Sequence, residues 1–145
     1  MTLGMVGCMG ISAVTKKLGG YTNTKLHGIL SSLGVVLSLG GLYAIYQNKN
    51  LYERPHFTSY HGKAGVGLVV GAIGAMMVGG VFLHPDFGVD KTNKTIRLAH
   101  KTFSRVVMGS AWLTAFMGMY KMSQSPLDLA LFGLPLIILA PFTIV

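Results

Sequence analysis

Three histidines stand near the mouths of long apolar runs: His27 in TKLHGILSS, His61 in FTSYHGKAGVG and His100 in IRLAHKTFS. After Lys63 no charge appears until Asp86. Ionisable groups in apolar surroundings are expensive and tend to be functional. Two imidazoles from two helices at one depth can ligate a single haem iron from both faces. Haem also needs flat space beside its ligands. Gly28 and Gly62, each directly after a histidine, leave that space. The plain alternative is a half-solvated histidine at a membrane rim with no chemical role. It serves well for any one of these residues and less well for three at matched depths.

The elements that would position these side chains are membrane helices. The chain has 145 residues, of which 51% are hydrophobic and 11% charged, with a mean hydropathy of +0.56. A soluble domain carries about 25% charged residues; this chain lacks the polar groups to coat a globule. Five apolar segments succeed one another, at 1–14, 26–46, about 57–83, about 96–120 and about 127–145. A spanning helix needs roughly 20 apolar residues. Four segments meet that length. The first is too short and has no basic residue ahead of it, so it lacks the positive start of a signal peptide; it reads as the back half of a spanning helix. The expected fold is an all-α, antiparallel transmembrane helix bundle forming one domain over residues 1–145.

Loop charges orient the bundle. Lys16, Lys17, Lys25, Lys91, Lys94, Arg97, Lys101 and Arg105 fall on one side, and Lys49, Arg54, Lys63 and Lys121 on the other. Eight against four puts the first side in the cytosol. His27 and His100 open helices running away from that side, so they share a depth near it. His61 opens a helix running the opposite way and sits near the outer side. The net charge of +8 is loop charge at a membrane surface, with no basic face for nucleic acid.

Three stretches carry a family resemblance: LHGILSSLG with His27, PHFTSYHGKAG with His61, and LAHKTFSRVVMGSAWLTAFMGM with His100. With GGVFLHPDF at the end of the third segment, residues 1 to about 119 resemble the cytochrome b561 family, above all its short branch. These are transmembrane electron carriers with six helices and two b haems. The resemblance implies that His27 and His100 hold the cytosolic haem and that His61 is half of the outer pair. It implies an ascorbate-dependent reductase that passes electrons to monodehydroascorbate or ferric iron, and pairing as a homodimer; the membrane is the endomembrane or the plasma membrane, and a partner subunit could fill the place of a missing first helix. The family's remaining ligand belongs to an HPxxM-like stretch. MTLGMVGCMGISAV resembles the continuation of that stretch, with Met1 at the motif's methionine. The expectation is therefore a chain without the first helix and the start of the second, holding one complete ligand pair.

Other side chains carry weaker signals. His56, beside Pro55 at the outer rim, is a substrate-side group or a solvated loop histidine. Thr58 and Ser59 are placed to cap the third helix and leave N–H groups for a haem propionate. Lys16, Lys17, Lys25 and Lys94 could neutralise cytosolic propionates or attract ascorbate, an anion at neutral pH, and they also satisfy topology alone. His84 before Pro85 reads as a helix stop. Six glycines crowd the third segment, Gly65, Gly67, Gly71, Gly74, Gly79 and Gly80, with Gly67 and Gly71 spaced as a GxxxG. The lone cysteine, Cys8, cannot form a disulfide within the chain. No GxGxxG occurs, and four acids in all leave hydrolytic acid–base chemistry poorly supported. Three classes remain: a haem-based transmembrane oxidoreductase, a membrane anchor subunit with or without haem, and a cofactor-free bundle or transporter.

Overall fold

The computed structural model describes residues 2–122 and 124–144. Met1, expected at the motif's methionine, and Val145, the end of the fifth segment, lie outside them. Among the described residues every regular element is helical: α1 (Thr2–Lys17), α2 (Tyr21–Leu51), α3 (Tyr60–Leu83), α4 (Lys94–Met122), a single turn α5 (Pro126–Asp128), and α6 (Leu134–Ile144). One turn of π-helix, Leu129–Gly133, joins the last two, so the chain is helical throughout 126–144. The protein is an all-α membrane bundle. By length and composition, the helices able to cross a bilayer among the described residues are α2 and α3. Helix α4 is long enough, but Lys94, Arg97, Lys101 and Arg105 charge its first turns.

Local chemistry sets the helix ends. Between α1 and α2 the chain reverses through Gly19 (φ 71°) and Gly20 (φ 85°), both in the left-handed region that favours glycine. Ser59 caps α3, its hydroxyl accepting from the Gly62 N–H at 3.1 Å. His84, held extended before Pro85, ends α3 as the sequence indicates. The chain then folds back on the helix end: Gly88 N–H donates to the His84 carbonyl at 3.0 Å, and Val89 N–H to that of Val81 at 3.0 Å. A Cβ at Gly88 would lie 2.5 Å from the His84 carbonyl oxygen, so the turn requires glycine. Asn93 opens α4 by accepting from the Thr95 and Ile96 N–H groups at 2.9 and 3.1 Å. The helices outrun the apolar segments because the polar flanks YTNTK and QNKNL continue the α2 backbone pattern.

Helices α1 to α4 form a ring in which α1 packs on α2, α2 on α3, α3 on α4, and α4 on α1, with α6 against α1 and α4. The core is small: Val35, Leu68, Val69, Ala72, Met108, Ala111, Trp112 and Ala115 are buried, with Ser12, Ser38 and Thr114. Apolar side chains such as Ile29, Val36, Val70 and Leu113 face outward. A bilayer accepts that surface; water would not. Trp112 donates its indole N–H to the Thr143 hydroxyl at 2.7 Å, pinning α6 to α4. Of the GxxxG pair, Gly71 alone lies against α4, where a Cβ would stand 3.1 Å from Val107 Cγ2; around Gly67 the space is open.

Candidate metal centre

His27 lies in the second turn of α2 and His100 in the second turn of α4. These two helices sit at opposite corners of the ring. They make no backbone approach to one another among the described residues, although each packs on α1 and α3. The two imidazoles are nevertheless close enough to interact electrostatically. Both imidazoles are half-buried, each in the second turn of its helix at the same end of the bundle. His61, in the first turn of α3, lies near the other end of the bundle.

Hydrogen bonds fix two of the three rings. His27 Nδ1 lies 3.0 Å from the Ser12 carbonyl oxygen and 2.7 Å from the Ser12 hydroxyl. His61 Nδ1 lies 3.0 Å from the Thr114 carbonyl oxygen. A ring whose Nδ1–H donates to a carbonyl has its Nε2 lone pair free for a metal, and this outer contact is common for ligating histidines. The Nδ1 of His100 is buried without a hydrogen-bond partner. A buried polar atom left without a partner costs about 1–3 kcal/mol.

This donor set fits haem. Among the described residues no three His, Cys, Asp or Glu side chains gather as a site for a bare ion. Haem brings its own four nitrogens and asks the protein for only two axial ligands.

The remaining candidates have ordinary partners as well as their positions. Lys25 pairs with Asp86 at 2.7 Å, and Tyr21 donates to the same carboxylate. Those hydrogen bonds, from Lys25 first and Tyr21 second, hold the Asp86 carboxyl below its ordinary range and tie the loop after α3 to the start of α2. The 18–20 and 84–93 segments therefore share one end of the bundle. Lys16 donates to Thr24 at 2.7 Å at that same end, where Lys17 and Lys94 are exposed. At the opposite end His56 is stacked on Tyr46, ring centroids 4.3 Å apart, and bonds Asn50 at 2.8 Å. Ser59 caps α3, and Thr58 beside it is exposed.

The sequence reading missed Ser12 and Thr114. For Ser12 a faint signal existed: Ser31 comes four residues after His27 on the same helix face, and it meets the Ser12 hydroxyl at 2.6 Å. For Thr114 none existed, because its backbone carbonyl is the acceptor.

An all-helical membrane bundle with histidines on facing helices belongs to the class of proteins able to hold haem within a bilayer. The sequence profile of eukaryotic cytochrome b561 matches residues 1–125, and the chain belongs to that family. Searches of curated proteins and of solved structures give no match. As a family member the protein is an integral membrane electron carrier of the oxidoreductase type, working with b-type haem.

Proposed function

We propose that the protein takes electrons from ascorbate on the cytosolic side and delivers them across the membrane to monodehydroascorbate or ferric iron, as one domain over residues 1–145. The observation that carries this reading is the pair His27 and His100, each in the second turn of its helix at the same end of the bundle, on helices that make no backbone approach to one another among the described residues. His27 and His100 would hold one b haem, and His61 would be half of a second, outer pair. Haem supplies the one-electron chemistry when bound.

The chain's own residues bind, orient and exclude water. The Ser12 carbonyl accepts a hydrogen bond from the His27 Nδ1–H, which leaves the Nε2 lone pair free for a metal. The Thr114 carbonyl does the same for His61. Lys16, Lys17 and Lys94 draw the ascorbate anion to the basic end. Lys25, shared with Asp86, would help neutralise the propionates of a haem bound at that end. At the opposite end Thr58 and Ser59, at the start of α3, would leave N–H groups for the propionates of an outer haem, and His56 would serve the acceptor side.

The test is a reduced-minus-oxidised optical spectrum of purified protein with ascorbate as reductant. A low-spin b-type signal that ascorbate generates is expected, and His27→Ala or His100→Ala should each remove the component of their shared haem. A spectrum unchanged in both variants would end the assignment. A haem signal that ascorbate cannot raise would favour an anchor subunit instead.

A further inference from the structure

Helices α3 and α4 run antiparallel, and each presents a glycine to the other's histidine. A Cβ built on Gly118 of α4 would stand 2.6 Å from His61 Cε1, and one on Gly79 of α3 would stand 3.1 Å from His100 Cε1. Eighteen residues separate His61 from Gly79, and eighteen separate His100 from Gly118. At 3.6 residues per turn that is five full turns, so each histidine shares a helix face with the glycine that serves the other. We propose that Gly118 and Gly79 are positioning residues that set the rotation of the His61 and His100 rings. This rests on the reading above, in which those rings ligate haem.

The His61 side has a second layer. Thr114 precedes Gly118 by four residues, so its carbonyl already accepts the helical bond from the Gly118 N–H. A side chain at 118 leans toward the helix N-terminus and covers that turn. Glycine there leaves the Thr114 carbonyl open from the side, and His61 Nδ1 reaches it at 3.0 Å. Alanine would both strike the ring and close the carbonyl. On the His100 side no hydrogen bond holds Nδ1, so the ring's rotation depends on packing, and Gly79 is the contact from α3. The other glycines of α3 differ: around Gly67 and Gly80 nothing lies within 4 Å of a Cβ.

Electron paramagnetic resonance of the oxidised full chain reads ring rotation, because the low-spin ferric signal depends on the angle between the imidazole planes. Gly79→Ala should shift the g values of the haem that His100→Ala removes, beyond any shift in Gly67→Ala or Gly80→Ala. Alanine variants indistinguishable from the two open-space controls would overturn the proposal. A wild-type protein with no low-spin signal would overturn the haem reading and this inference with it. Thermal stability without haem gives an independent arm. Gly118→Ala should lower the melting temperature, or prevent folding, in the wild-type background and should be tolerated in His61→Ala; Gly79→Ala should behave so with His100→Ala. Equal damage, or equal failure to fold, with and without the imidazole would show that the glycines answer to something other than the rings.

Discussion

Replacing Ser12 with alanine isolates the polar pin between α1 and α2. Ser12 is 1% exposed, and its hydroxyl lies 2.6 Å from Ser31 Oγ, 2.7 Å from His27 Nδ1 and 2.9 Å from the His27 carbonyl oxygen. In membrane bundles such contacts average about 0.6 kcal/mol each and reach about 1.7. Three of them amount to about 2 kcal/mol, and the stranded Ser31 hydroxyl adds a share of its desolvation. Ser12→Ala should therefore cost about 2–3 kcal/mol. Because Ser31 is a direct partner, Ser12→Ala with Ser31→Ala should cost less than the two singles together, by about 0.6–1.7 kcal/mol. Reversible unfolding of the purified protein in bicelles measures both quantities. The backbone carbonyl of Ser12 survives the substitution, 3.0 Å from His27 Nδ1, so the low-spin haem spectrum should persist in Ser12→Ala. A loss below about 0.5 kcal/mol, or strict additivity with Ser31→Ala, would refute the pin.

The ends of the bundle and α6 give further expected outcomes. Cysteines introduced as Lys17→Cys and Asn50→Cys, in a Cys8→Ser background, should label from opposite sides of the membrane; labelling of both from one side would rule out the topology. Lys25 and Tyr21 hold the Asp86 carboxyl below its ordinary value. A lowered carboxylate pKa stabilises above the unfolded value of about 4 and loses that contribution as pH falls through the folded one. Hydrogen exchange over residues 84–90 should therefore rise, beyond its intrinsic pH dependence, only below about pH 4. Asp86→Asn should show raised exchange at neutral pH as well, and a flat wild-type profile would count against the tie. Trp112→Phe should remove the bond to Thr143 at a cost of about 0.5–1.5 kcal/mol; a stability equal to wild type would mean that packing alone docks α6.

The features legible in the sequence are those decided locally. A run of about 20 apolar residues predicts a membrane helix because the unpaired backbone must bond to itself in lipid. The stop at His84–Pro85 and the cap at Ser59 depend on neighbours only a few residues away. His27, His61 and His100 stand out because an imidazole beside apolar residues is rare enough to need a reason. The family, too, is written in the residues around those histidines. Tertiary structure decided the rest. Lys25, read from sequence toward a propionate, meets Asp86 across sixty-one positions of chain. Thr114 offers a backbone carbonyl, which every residue has, so its type carried no signal. Of the six glycines crowded into the third segment, only packing distinguishes Gly79, which lies against a ring, from Gly67 and Gly80, which face open space. Helix periodicity says which residues share a face. Which neighbour that face meets, and at what height, is fixed only when the helices come together.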